Sequence, residues 1–161
     1  MSFDLKPVDY LRMLKEEYGE YRRSAPELIR KAITCCSLSN ATPEIVFAEY
    51  GAMEPQKVHG ARSHGDYRVY LRGQCDAHHT VRDLCDFSKH GPTLRRATVT
   101  VQGVKHMVRQ VGIFRGLLAI TEIREIGRLE VTHQNGRTEL MDDILRQVIA
   151  PWDMIFPRDG L

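Results

Sequence analysis

The stretch from Arg95 to Glu130 constrains the fold more than any other, because it reads in order as strand, basic turn, long helix, glycine stop and strand. In "RRATVTVQG" the apolar Ala97, Val99 and Val101 alternate with Arg96, Thr98, Thr100 and Gln102, the period of a strand with one buried and one wet face. The following "GVKHMVRQ" places Lys105, His106 and Arg109 around the first turns of a helix predicted to run to Ile126. Cations there oppose the helix dipole. An anionic partner that also meets the exposed amides offsets that cost, so a phosphate backbone is the first expectation.

The distribution of charge supports the same expectation. The chain has 161 residues, about one domain, and a formal charge of only +2. Residues 61–110 hold nine Lys or Arg against four acids, whereas residues 1–60 hold eight against nine and residues 111–161 six against eight. The positive field is therefore concentrated in the middle third. The four cysteines, Cys35, Cys36, Cys75 and Cys85, form no C-x-x-C, which suggests a reducing compartment rather than a zinc ribbon or a disulfide scaffold. No long apolar run predicts a membrane span, and the first residues do not read as a secretory signal.

Before the basic region the pattern is helical. Tyr10, Leu11, Leu14, Tyr18 and Tyr21 share one face of a helix over 7–23 that Pro7 can start. A second helix from Pro26, carrying Leu28, Ile29, Ala32 and Ile33, is predicted to die out at Asn40 to Pro43, with a short segment at 45–50 beyond it. The Gly-, Pro- and His-rich "GAMEPQKVHGARSHG" reads as a linker, so the expected division is a helical arm and linker at 1–64 and a second unit at 65–161. Period-two alternation of Tyr67, Val69 and Leu71 predicts a strand. A helix with Val81, Leu84 and Phe87 should follow, capped by Thr80 and ended by Gly91-Pro92. A strand around Arg128 to Thr132 should then lead into an Asn135-Gly136 hairpin turn. Residues 138–161 carry both a helical register (Leu140, Ile144, Leu145, Val148) and strand-like pieces.

This β-α-β-α-β order, with "LCDFSKHG", "QVG" at Gln110 to Gly112, Gly127 with Glu130, "GR" at Gly136-Arg137 and "IAP" at Ile149 to Pro151, resembles the C-terminal domain of translation initiation factor three. The match covers roughly residues 67–151. The family turn that reads like "RGRE" is "QGVK" here, so two expected arginines are Gln102 and Val104. The family's N-terminal domain has no counterpart in residues 1–64. What the resemblance implies is an α+β fold: a β-α-β-α-β-β two-layer sandwich, with a mixed four-stranded sheet and two helices on one face, preceded by the helical arm. It further implies binding to small-subunit ribosomal RNA and a block on premature joining of the large subunit, with no catalytic residue, metal or cofactor.

The RNA-contact candidates are Arg72, Arg82, Arg95, Arg96, Lys105, His106, Arg109, Arg115 and Arg137, all phosphate-directed rather than base-reading. Small-subunit ribosomal proteins are the expected partners of the arm, and a mitochondrial ribosome, or else a bacterial cytoplasm, the expected setting. Two other readings stand beside this one. The chain could be a fixed component or assembly factor of an organellar small subunit. It could also be an RNA-modifying enzyme, since "HMVRQVG" resembles a segment of the transfer-RNA pseudouridine synthases, although Asp66 and Asp76 lack the context of that family's active-site aspartate. Five of the seven histidines (His64, His78, His79, His90, His106) lie in residues 61–110, but without metal-ligand spacing.

Overall fold

The computed structural model describes residues 5–23, 28–90, 101–114 and 120–161, of which residues 90, 108–114 and 120–126 are described by their backbone alone. The chain is mixed α+β: helices α1 (Pro7–Arg23) and α2 (Leu28–Tyr50), a short 3-10 turn (Pro55–Val58), then α3 (His64–Gln74) and α4 (Ala77–His90). Strands β1 (Val101–Phe114), β2 (Ile120–His133) and β3 (Thr138–Leu140) follow, and α5 (Met141–Ile149) and α6 (Trp152–Asp159) close the order.

The first helix forms as its apolar spacing predicts, with Leu11, Leu14 and Tyr21 buried. Its inward face is tied to α5, where Tyr18 Oη donates to Asp142 Oδ1 at 3.0 Å. Asp142 draws Arg22 to 3.6 Å. Burial and the Asp142 carboxylate push the Tyr18 phenol up to about 12, so it stays a donor at neutral pH. One cluster joins Leu14, Tyr21, Ala32 and Cys36 to Val81 and Leu84 of α4, Leu129 and Val131 of β2, and Ile144, Leu145 and Val148 of α5. A shared core thus crosses the boundary expected near residue 64, and the apolar face of the expected arm lies inside the protein.

Helix α2 does not stop at Asn40 to Pro43 but runs through them to Tyr50. A proline inside a helix removes one backbone donor and crowds the carbonyl a turn before it. Here the carbonyls of that turn find side-chain donors: within the helix Thr42 Oγ1 donates to the Leu38 carbonyl at 2.8 Å, and from α3 the Arg68 guanidinium donates to the Asn40 carbonyl at 2.7 Å. With these bonds in place and Pro43 itself buried, packing keeps the helix whole.

Residues 67–72 form no strand; they lie in α3. The decisive spacing is Tyr67 and Leu71, four apart and 0% and 1% exposed, while Val69 between them is 59% exposed. Ser63 caps the helix by accepting from the Asp66 amide at 3.1 Å, and the Arg62 amide donates to Asp66 Oδ2 at 3.3 Å. Helix α4 begins at Ala77, so Thr80 lies inside it, buried, rather than capping it.

The largest correction falls on residues 103–126. The expected helix is replaced by two antiparallel strands of 14 residues each, paired from Val101↔His133 to Phe114↔Ile120. Val104, Val108, Val111, Ile113, Ile120, Ile123 and Ile126 are β-branched, and glycine at 112 and 116 disfavours a helix, so strand propensity overrides the expected helix. The four-stranded mixed sheet with two helices on one face is accordingly absent from the described residues, which form a three-stranded antiparallel sheet in the order β1-β2-β3. The expected strand at Arg128 to Thr132 is the inner end of β2. Of the strand expected over "RRATVTVQG", residues 95–100 lie outside the described residues, and Val101 opens β1. Strand β3 pairs only with Glu130, Val131 and Thr132, so the rest of the hairpin is two-stranded.

The Asn135-Gly136 signal does close a hairpin, between β2 and β3. The Gly136 amide donates to His133 O at 2.9 Å, the His133 amide donates to Arg137 O at 2.8 Å, and Gly136 has φ +81°. A turn ended by a left-handed residue is the three-residue hairpin loop, and glycine supplies that conformation without a Cβ penalty. Gly136→Ala should cost about 1 kcal/mol of stability in urea unfolding, because no neighbour lies within 4 Å and only the backbone angle is at stake.

Trp152 is fully buried, but not against the sheet. It sits in a second cluster with Leu11, Val46, Val58, Tyr67, Leu71, Ile155 and Phe156, edge-on to Phe156 at 5.7 Å. Among the described residues no helix is long and apolar enough to cross a membrane.

Candidate nucleic-acid interface

Helices α3 and α4 are joined by Cys75 and Asp76 alone, and they place three arginines around one open cleft against α2. Arg68 and Arg72 are one turn apart on α3, so once that segment is helical they must share a face. Arg82 comes from α4. Ser39, Asn40, Pro43, Leu71, His78 and Val81 complete the lining. The proline-bearing turn of α2 is thus the floor of the site as well as the acceptor of an Arg68 bond.

The three cations are held differently. Arg68 is paired with Glu44 at 2.8 Å and bonded to the Asn40 carbonyl. Arg72 is fixed through Nε to the Arg68 carbonyl at 3.2 Å, and its Nη1 donates to His79 Nε2 at 3.3 Å, which makes that ring nitrogen the acceptor. Among the described residues no ion pair involves Arg72 or Arg82. Burial first, then the guanidiniums of Arg82 and Arg68, pull the pKa of Arg72 below its ordinary value, while Asp83 acts the other way. Cations crowded this closely repel, and an anion between them relieves the repulsion. His78 contributes no charge at neutral pH: burial, aided by Arg72, pushes its imidazole down to about 4.

The other expected contacts divide. Lys105 and His106 are both exposed on β1, but consecutive strand residues point to opposite faces. Lys105 stands opposite Glu130 and His106 opposite Leu129. Exposed Arg128, opposite Met107, lies on the Lys105 face of the ribbon. Arg109 occupies the register position opposite Ile126; its side chain, and Arg95, Arg96 and Arg115 altogether, lie outside the described residues. Arg137 follows the hairpin turn with its guanidinium on Glu139, whose carboxylate also meets His133 Nε2 at 2.9 Å, so its charge is already met internally. Arg68, Ser39 and Asn40 were not among the candidates. Arg68 was legible only as the residue a turn before Arg72, a relation that a strand reading hides.

Among the described residues no three His, Cys, Asp or Glu side chains are grouped to hold a metal ion. No protein-family model matches this chain, and neither a curated protein nor a solved structure gives a significant match.

Proposed function

We propose that this chain binds nucleic acid through its phosphates, using the arginine cleft of α3 and α4 together with the cations of the β1–β2 ribbon. The observation that carries this reading is the convergence of Arg68, Arg72 and Arg82 on one cleft whose lining contains no carboxylate. Arginine is suited to it because its planar fork meets phosphate oxygens two at a time.

The order of elements favours duplex nucleic acid. Two helices joined by a very short turn can set the second helix in a major groove, and a two-stranded ribbon can also enter a groove. The intermediate-exposure residues His79 and Arg82 and the exposed Ser88 and Lys89 lie on α4 in this arrangement. Small-subunit ribosomal RNA, met by an initiation-factor-three-like protein or by a retained ribosomal component, is the second reading. Its support is now the basic middle third alone, since a hairpin stands where that resemblance needs its second helix.

Fluorescence anisotropy with a DNA duplex and with a small-subunit rRNA fragment tests both readings. At about 100 mM salt, Arg72→Gln combined with Arg82→Gln should weaken the preferred partner at least about tenfold, and the salt slope should become shallower by about 2. Equal affinity of the double variant and the parent protein rejects the cleft as the contact.

A further inference from the structure

The lining of the cleft carries an unused donor besides its arginines. Ser39 is 1% exposed, and its Oγ finds no hydrogen-bond partner although it is buried. A hydroxyl left unpaired in that way costs free energy that a ligand oxygen can recover. It lies in the wall formed by α2, with Arg68, Arg72 and Arg82 in the same lining. Arg68 is already neutralised by Glu44, so Arg72 and Arg82 are the cations available to a ligand. Asp83 of α4 is buried and weakly supports the charge on Arg72, but it is not part of the lining.

Two available guanidiniums match two negative charges. A phosphodiester inside a chain carries one, whereas a phosphate monoester at pH 7 carries about −1.5 to −2 and offers three acceptor oxygens. We infer that the cleft formed by Ser39, Arg68, Arg72 and Arg82 is a site for a phosphate monoester. Its source is either the phosphorylated end of a nucleic acid or a free mononucleotide. The inference rests on the phosphate-binding reading above and narrows it to one kind of phosphate in one place. Arg72 and Arg82 grip the oxygens, and the Ser39 hydroxyl donates to the third.

The test uses the full chain in chloride buffer. Inorganic phosphate and a 5′-nucleoside monophosphate are titrated calorimetrically, with the unphosphorylated nucleoside alongside. The same duplex is then bound with a 5′-phosphate and with a 5′-hydroxyl. The mononucleotide should bind and the nucleoside should not; Ser39→Ala should weaken it about tenfold and Arg72→Gln about tenfold or more, the scale of hydrogen bonds to a charged group. A duplex preference for the 5′-phosphate that Ser39→Ala removes identifies a nucleic-acid end as the source. No such preference, with mononucleotide binding kept, identifies the free nucleotide. Failure of inorganic phosphate, mononucleotide and phosphorylated duplex alike to respond to Ser39→Ala and Arg72→Gln overturns the inference. If a 5′-hydroxyl duplex still binds with strong salt dependence in that case, the broader phosphate reading survives it; if no nucleic acid binds, both fall.

Discussion

Trp152→Ala should destabilise the protein by about 3–5 kcal/mol, the range of large-to-small changes at fully buried aromatic positions. Trp152 is 0% exposed and sits where α6, α3, α2 and α1 meet, against Leu11, Val46, Tyr67 and Leu71. Removing the indole leaves a cavity bounded by three or more elements, which cannot all collapse into it. Its Nε1 has no hydrogen-bond partner, so Trp152→Phe loses no bond, keeps most of the packing and should cost much less, about 1–2 kcal/mol. Urea unfolding of both variants provides the check. If alanine costs no more than phenylalanine, the tryptophan does not organise this core.

The second large effect is an acid-side loss of stability centred on His78. Its imidazole stands edge-on to Trp152 at 6.4 Å, and burial, with Arg72 beside it, holds its pKa at about 4 against 6.5 for a free histidine. Between those values the unfolded chain binds a proton that the folded chain refuses. Stability is therefore fully present above pH 6.5 and falls as the pH drops from 6.5 towards 4, by an amount on the order of 3 kcal/mol. Asp159, held low chiefly by its bond to Arg158, also loses stability in acid, but in the lower carboxylate range. His78→Phe keeps a ring against Trp152 and removes the titration, so the difference between parent and variant isolates the histidine. Parallel stability curves from pH 7 to pH 4 would show that His78 is protonated as easily in the folded protein as in the unfolded one. Because the two rings touch the same space, effects of Trp152 and His78 variants should not add.

The sequence announced some elements through sterics that act locally. The three- and four-residue spacing of Leu11, Leu14, Tyr18 and Tyr21 has no competing interpretation, and neither does the Asn135-Gly136 turn. At Tyr67 to Leu71 two periods fit the same letters. Alternation suggested a strand, while the Ser63 and Asp66 capping pair and the i, i+4 relation of Tyr67 and Leu71 point to the helix that forms. At residues 103–126 the basic turn and the glycine stop suggested a helix between two strands, whereas the run of β-branched side chains there favours the strands that form. The continuation of α2 past Pro43 could be read only in part from local sequence, since Arg68, 28 positions away from Asn40, also bonds to that turn.

The site was partly legible for the same reason. Arg72 and Arg82 stood out as cations in a basic segment, and they do share a cleft. Their partners Arg68 and Ser39 become visible only when α3 is helical and packed on α2. Arg137 illustrates the limit of counting charges: Glu139, two residues on, already satisfies it.

The most direct test of phosphate binding is the salt dependence of affinity for a duplex and for an rRNA fragment, measured from about 50 to 200 mM salt. With three or more phosphates neutralised by the cleft and the ribbon, log K should fall with a slope of about −3 or steeper against log salt for a duplex. A slope near zero, or no binding to either nucleic acid at the lowest salt, contradicts the account.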